Sequence, residues 1–166
     1  DLVSDLLALS RLESNDEAFN TQVDLQQIVQ RVCANLQAVA QSHQVMLDLD
    51  TKGQPIMLLG DENALGQMVT NLIDNAIKYT PAMGHVHVVI KVDASTTLLS
   101  IKDDGIGIDE ANQERIFERF YRVDKARSQS LGGTGLGLAI VKHIVQSHKG
   151  SLQLKSKLNQ GSTFLV

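Results

Sequence analysis

Residues 131–143 read LGGTGLGLAIVKH, with four glycines in the six positions from Gly132 to Gly137 and an apolar pattern of helical spacing after them. Such a stretch can cradle a phosphate in several ways, and its neighbours separate them. A dinucleotide fingerprint needs a strand directly before its glycines, whereas the polar, charged RVDKARSQS precedes these. A P-loop closes with Lys after its last glycine, and Leu138 stands there instead. Two readings remain: a flexible loop capping the helix expected over 135–147, or a hinge that aims that helix's first amides at an anion. The rest of the chain has to choose between them.

At 166 residues and 43% hydrophobic content, the chain is long and apolar enough for the core of one ordinary domain. It has no Trp and only six Phe or Tyr, so that core is aliphatic. The net charge of -4 argues against nonspecific nucleic-acid binding, which relies on basic faces. A single cysteine, Cys33, excludes an internal disulfide and points to a reducing compartment. No apolar run reaches membrane-spanning length and no leader-like segment opens the chain. The expectation is a cytoplasmic domain, whose parent remains free to carry a membrane anchor.

Residues 1–14, DLVSDLLALSRLES, place Leu2, Leu6 and Leu9 at helical spacing and begin without a capping residue. The polar connector NDEAFNTQ leads to VDLQQIVQRVCANLQAVAQSH, where Leu25, Ile28, Val29, Val32, Leu36 and Val39 share a helical face. VMLDLD and PIMLL read as strands. Asp61 caps a helix over 62–79 that stops before Pro81. HVHVVIKVD and TLLSIKD pair around the turn-forming AST, and a short helix near EANQERIF is capped by Asp109. After the glycines come the helix over 135–147 and strands near 151–157 and 162–166 around NQG. Hairpin strands alternating with helices predict an α+β two-layer sandwich, a mixed sheet covered by helices on one face.

Three constellations carry chemistry. On the helix after Asp61, Asn71, Asn75, Lys78 and Tyr79 fall at i, i+4, i+7 and i+8, a single stripe beside the apolar one of Leu65, Val69, Leu72 and Ala76. Carboxamide oxygens are hard ligands suited to Mg²⁺, an ammonium meets phosphate, and a phenol ring offers a face to a base. In IKDDGIGID, Asp103 ends a strand; a carboxylate there repels phosphate but accepts from an exocyclic amine, and Gly105 and Gly107 permit close approach of backbone to ligand. From Arg115 to Arg127 five basic residues (Arg115, Arg119, Arg122, Lys125, Arg127) face two acids, with Phe117, Phe120 and Tyr121 interleaved. That local excess can hold a polyphosphate. His85 and His87 share a strand face without a third metal ligand, and no Ser/His/Asp or Cys/His arrangement emerges.

Taken in order, NLIDNAIKYTP, DDGIGI, FERFYR and GGTGLGLAIVKHIV resemble the N box, first glycine box, F box and second glycine box of sensor histidine kinases. The resemblance spans nearly the whole chain: residues 15–166 resemble the catalytic ATP-binding domain and residues 1–14 the end of the second helix of the dimerisation and phosphoacceptor domain. It implies the Bergerat fold, with ATP between a helical layer and a lid. Carried over residue by residue, Asn75 is the Mg²⁺ ligand with Asn71 beside it. Lys78 contacts phosphate and Tyr79 packs on adenine. Asp103 takes the adenine amine, with Gly105, Gly107 and Ile108 shaping the base pocket. Arg122 and Arg127 match lid arginines, and Gly133, Thr134, Gly135, Leu136 and Gly137 form the glycine box over the triphosphate. Thr163 matches a threonine near the adenine. Transfer chemistry falls to Asn71, Lys78, Arg122 and Arg127.

The function so implied is a Mg·ATP-binding kinase domain. It donates the γ-phosphate to a histidine of an adjoining helical domain, for relay to an aspartate on a response-regulator receiver domain, within a parent expected to be a homodimer. None of the five histidines is followed by the Asp or Glu that accompanies the family's acceptor, so the acceptor is expected to lie outside this chain. Two alternatives stand beside this reading. A gyrase-like or mismatch-repair-like ATPase places a Glu base four residues before the metal Asn, where this chain has Asn71, an amide that cannot act as a base at neutral pH. A non-catalytic nucleotide-binding module would tolerate decay of the motifs, which are intact here.

Overall fold

The computed structural model describes residues 21–51, 53–93, 96–123 and 133–166. The helix expected over 1–14, and the residues from 124 to 132, Arg127 among them, lie outside the described residues. The described chain runs β1 (Gln22–Asp24), α1 (Leu25–Ser42), β2 (Met46–Thr51), β3 (Met57–Leu59), α2 (Glu62–Tyr79), β4 (His85–Asp93) and β5 (Thr96–Asp103). It continues through two 3₁₀ turns (Glu110–Asn112 and Arg115–Phe117), α3 (Gly137–Ser147), β6 (Gln153–Ser156) and β7 (Ser162–Leu165).

The main sheet has the order β2-β4-β5-β7-β6, and β1 pairs with β3 in a separate two-stranded ribbon. β2 and β4 are parallel, because β3 and α2 intervene as a crossover, while the other pairings are antiparallel. In β4, Val86, Val88 and Ile90 are buried while His85, His87 and Lys91 are exposed. That alternation marks a sheet with one covered face, as the sequence periodicity leads one to expect.

Helix α2 is the central strut. Asp61 caps it, its side chain accepting from the N–H groups of Asn63 (2.8 Å) and Ala64 (3.0 Å). At the other end Thr80 leaves the helical region at ψ 126°, as the residue before Pro81 must, and its hydroxyl donates back to the Ala76 carbonyl at 2.7 Å. The predicted apolar stripe is buried and is wider than four residues, since Ala64, Met68, Ile73 and Ile77 join it. α2 packs against α1 and α3 as well as against the sheet, so it needs an apolar surface on several sides. His148, at the end of α3, fixes the N-terminal end of α2: its Nε2 accepts the Asp61 N–H at 3.1 Å, while Nδ1 lies 2.8 Å from the Ile144 carbonyl.

Three details differ from the sequence reading. EANQERIF forms two short 3₁₀ turns in place of one helix, with Asp109 capping the first through the Ala111 N–H at 3.0 Å. α3 begins at Gly137 because Gly135 has φ +76°, outside the helical region. Val23 and Asp24 belong to β1; three residues are too few to show alternation. Asp24 then does two jobs. It caps α1 through the Gln26 and Gln27 N–H groups at 3.0 and 3.4 Å, and it takes the Ile56 N–H at 3.0 Å, stitching the approach to β3 onto the helix start. Asp24→Ala is therefore expected to lower unfolding free energy by about 1–2 kcal/mol, the upper range for a lost cap, measured as a shifted midpoint in chemical denaturation.

Candidate functional site

A cavity of about 480 Å³ opens between α2, the turn after β5, the 3₁₀ segment and the glycine-rich approach to α3. That is the size of a small-molecule site. One wall is the polar stripe of α2: Asn71, Asp74, Asn75, Lys78 and Tyr79. Opposite stand Gly133, Thr134, Gly135, Gly137 and Leu138, while Arg122 and Val123 close one side. Ile106, Gly107, Ile108, Leu158, Ser162 and Phe164 line the cavity together with Asp103.

Asp103 sits at the end of β5 and is 5% exposed. Its Oδ1 accepts the N–H of Gly105 at 2.9 Å and of Ser162 at 3.2 Å, which leaves Oδ2 for a ligand. Burial pushes its pKa above the ordinary carboxylate value; the two backbone N–H groups oppose that rise and the neighbouring Asp104 adds to it. Asp104 is itself occupied with the start of β4, accepting the His85 N–H at 2.7 Å and facing His85 Nδ1 at 3.2 Å.

The turn after Asp103 is gripped from both sides. The Ile106 N–H donates to the Tyr79 carbonyl at 3.1 Å, and the Ile106 carbonyl accepts the Asn159 N–H at 2.6 Å. Gly107 has φ +65°, and a Cβ there would run into the Lys157 carbonyl, so only glycine lets the two loops meet. Ser156 accepts the Ile108 N–H at 2.8 Å and donates to the Gly161 carbonyl at 3.0 Å, while the Gln113 amide bridges the Ile108 and Ser156 carbonyls at 3.0 Å each. The turn after Asp103 is thus held by three separate segments: the end of α2, the β6–β7 connection and the stretch containing Gln113.

Polarity reverses across the cavity. Nε and Nη2 of Arg122 are buried and have no hydrogen-bond partner among the described residues. Leaving two buried guanidinium nitrogens unsatisfied is costly, and Arg122 lines the cavity. The 3₁₀ segment beneath it is packed by its aromatics: Phe117 meets Phe164 edge-on at 6.5 Å, Arg115 stacks over Tyr121 at 4.2 Å, and the Tyr121 hydroxyl donates to Asn112 at 2.6 Å. Phe120, in the left-handed region at φ +62°, donates its N–H to the Gly135 carbonyl at 2.9 Å. A Cβ on Gly135 would come within 3.0 Å of the Phe120 backbone. These contacts join the F-box segment to the glycine box.

On α2, the Asn71 amide nitrogen donates to the Gly137 carbonyl at 3.2 Å, which ties α2 to the first turn of α3 and leaves the carboxamide oxygen as a donor toward a cation. Asn75 lines the cavity four residues on. The oxygens of Asn71 and Asn75, with the Asp74 carboxylate between them in sequence, form a hard donor set of the kind Mg²⁺ takes alongside phosphate and water. Lys78 pairs with Asp74, Nζ to Oδ2 at 2.6 Å.

Of the residues singled out from sequence, Asn71, Asn75, Lys78, Tyr79, Asp103, Gly107, Ile108, Arg122, Gly133, Thr134, Gly135 and Gly137 all line this one cavity. Three others sit differently from this set. Thr163 lies on the other face of the sheet, in a shallow depression with Lys102 and Lys155, because alternation along β7 sends its neighbours Ser162 and Phe164 inward. Leu136 is fully buried in the core and leaves Leu138 to face the cavity. Gly105 supports Asp103 from behind: a Cβ would sit 2.5 Å from the Tyr79 carbonyl and 2.7 Å from Asp103 Oδ1. Arg127 lies outside the described residues. The sequence reading passed over Asp74, which its own helical spacing from Asn71 could have found. Ser156, Gln113 and Ser162 left no such signal, since they reach the site only through strand pairing and loop packing.

Comparison with known proteins agrees with this geometry. A family profile described as histidine kinase-, DNA gyrase B-, and HSP90-like ATPase matches residues 60–166. The sensor-like histidine kinase SenX3 of Mycolicibacterium smegmatis is 40% identical over 167 residues, covering 100% of this chain and 43% of SenX3. The sensor histidine kinase WalK of Bacillus subtilis is 39% identical over 165 residues, covering 98% of this chain and 27% of WalK. The chain therefore spans less than half the length of these relatives. Among solved structures, full-length ShkA in complex with AMPPNP superposes with a TM-score of 0.82 at 27% identity, over 99% of this chain and 34% of ShkA. The mycobacterial sensor histidine kinase MprB gives 0.72 at 29% identity, over 87% of this chain and 93% of that one. The chain belongs to the family of histidine kinase-, DNA gyrase B- and HSP90-like ATPases, in the branch formed by the catalytic domains of sensor histidine kinases.

Proposed function

We propose that the cavity binds Mg·ATP and presents the γ-phosphate to a histidine of an adjoining helical domain. The observation that carries this reading is the opposed polarity of the cavity. A buried carboxylate with one oxygen still available stands at the end of β5, and beside the glycine box stands a guanidinium whose buried Nε and Nη2 have no hydrogen-bond partner among the described residues. An adenine amine donates to the first, and phosphate oxygens accept from the second. The complex of ShkA with an ATP analogue, on the same fold, supports the assignment.

In this reading Tyr79 packs on the base and Lys78, Arg122 and Arg127 meet the phosphates, while the N-terminal amides of α3 add their dipole. Asn75 and Asn71 would hold Mg²⁺, which would supply charge neutralisation to the phosphates. The acceptor imidazole nitrogen forms the new N–P bond as the bond to the β,γ-bridging oxygen breaks, and ADP leaves. Catalysis then consists of positioning and charge stabilisation, without a covalent intermediate on this chain. Asn71 occupies the position where hydrolytic relatives carry a base; an amide held by a carbonyl cannot take a proton from water. Relay to a receiver aspartate, a homodimeric parent and a cytoplasmic setting complete the reading. No helix among the described residues is long and apolar enough to cross a membrane.

Two outcomes test this. Asp103→Asn keeps the acceptor for Gly105 and Ser162 but places an amide where the base amine would donate, so ATP affinity should fall about 10–100-fold, the worth of a hydrogen bond to a charged group, in a calorimetric titration. The same variant has a stability signature. Because burial raises the folded pKa of Asp103, the folded protein holds that proton more tightly than the unfolded chain. The carboxylate therefore opposes folding at neutral pH and stops doing so as pH falls through the raised pKa toward the unfolded value. The Asp103→Asn protein should unfold at a higher temperature than wild type at pH 7, with the difference shrinking on acidification. Second, the chain incubated with γ-labelled ATP should acquire no acid-labile phosphate and should hydrolyse ATP slowly, whereas a chain extended to include the helical domain should label on histidine. Label on this chain alone, or rapid hydrolysis, defeats the kinase reading.

A further inference from the structure

The ion pair between Asp74 and Lys78 is out of place in a phosphate site. Both side chains line the cavity and are about a quarter to a third exposed, and their charged atoms stand 2.6 Å apart. Lys78 and Arg122 are the cationic side chains lining the cavity among the described residues, and the first is already neutralised by a carboxylate one turn earlier. An ordinary i,i+4 pair on an outer helix face adds a few tenths of a kcal/mol and has no further consequence. This one stands on the wall between Asn71 and Lys78, where a triphosphate would lie.

Consider a metal-free triphosphate entering. If Lys78 turns to the phosphates, Asp74 is left unpaired and directed at several negative charges. If Lys78 stays with Asp74, the phosphates lose their lysine. Either way the carboxylate opposes binding, because it lines the cavity that the phosphates would enter. A divalent cation carried by the nucleotide reverses the sign, because the carboxylate beside the two asparagines then faces net positive charge.

We infer that Asp74 is a specificity-determining residue, which makes the cavity reject nucleotide that carries no divalent cation and releases Lys78 to the phosphates only when that cation is present. Two neutral carboxamides would impose no such discrimination. This rests on the proposed binding of Mg·ATP, and the test separates the two.

The experiment measures the affinity of the whole chain for adenylyl imidodiphosphate by calorimetry at fixed ionic strength, once with excess Mg²⁺ and once with EDTA. Wild type should bind much more weakly in EDTA. Asp74→Asn should narrow the gap between the two conditions about tenfold, chiefly by tightening binding in EDTA, as expected for removing one negative charge a few ångströms from the phosphates. Asp74→Glu, which keeps the charge, should restore the gap. Melting temperature of the apo variants monitors folding and should stay near wild type, because a pair this exposed contributes little to stability. If Asp74→Asn leaves the gap intact, or weakens binding equally in both conditions, Asp74 is a structural helix residue and the inference fails. If wild type binds the analogue in neither condition, the nucleotide reading fails first and takes the inference with it.

Discussion

Helix α2 has to be apolar on several sides and polar on one, and the rest of the molecule is arranged around that constraint. Eight of its 18 residues are buried, against the sheet and against α1 and α3. Fully burying side chains such as Leu72, Ile73 and Ile77 contributes about 1.5–3 kcal/mol each, which locks the rotation of the helix about its own axis. Once rotation is locked, the side chains of Asn71, Asp74, Asn75, Lys78 and Tyr79 have only the cavity to face. The core therefore orients the site. A rotation by one residue, about 100°, would carry the asparagines into the buried slots of Leu72 and Ala76 and turn Ile73 and Ile77 toward the cavity.

The Asp103 end of the cavity depends on contacts between segments far apart in the chain. Asp103 Oδ1 takes one N–H from the turn that follows it and one from β7, 59 residues later. That second bond exists only because β7 pairs with β5, with Asp103 opposite Ser162. Gly161, at φ +86°, lets the β6–β7 turn come against the Asp103 backbone, where a Cβ would collide with its carbonyl. The carboxylate is thus made ready before any ligand arrives, at the expense of burying a charge, which its raised pKa records.

The glycine-rich side of the cavity is built on the opposite principle. Nε and Nη2 of Arg122 have no hydrogen-bond partner among the described residues, and Gly135 keeps a backbone conformation a side chain would resist. Gly135 at φ +76° and Phe120 at φ +62° meet backbone to backbone, so this join stores conformational strain that a rigid sheet would not accept. A carboxylate fixed by two backbone N–H groups at one end, and a guanidinium with two unpartnered nitrogens among the described residues at the other, give the cavity two ends of different character.

Much of this was legible in the sequence, and the reason is periodicity. The stripe Asn71, Asn75, Lys78 and Tyr79 follows from 3.6 residues per turn, the caps Asp61 and Asp109 from the need to satisfy free amides, and the end of α2 from Pro81. The order of four motifs pointed to the family, and the one-faced sheet followed from hairpin strands alternating with helices. Local chemistry determines such features, because each is decided within a turn or two of chain. The face of β7 was not legible: Ser162 and Phe164 enter the cavity and Thr163 does not, since a two-residue period looks the same from either side until pairing with β5 sets the register. Nor was the direction of Leu136, a glycine-box residue that the core claimed, or the support that Ser156 and Gln113 give the base pocket from another part of the chain. The sequence by itself determined which residues could carry the chemistry. Tertiary structure alone decided which of them meet, because burial and strand register are properties of partners distant in the chain.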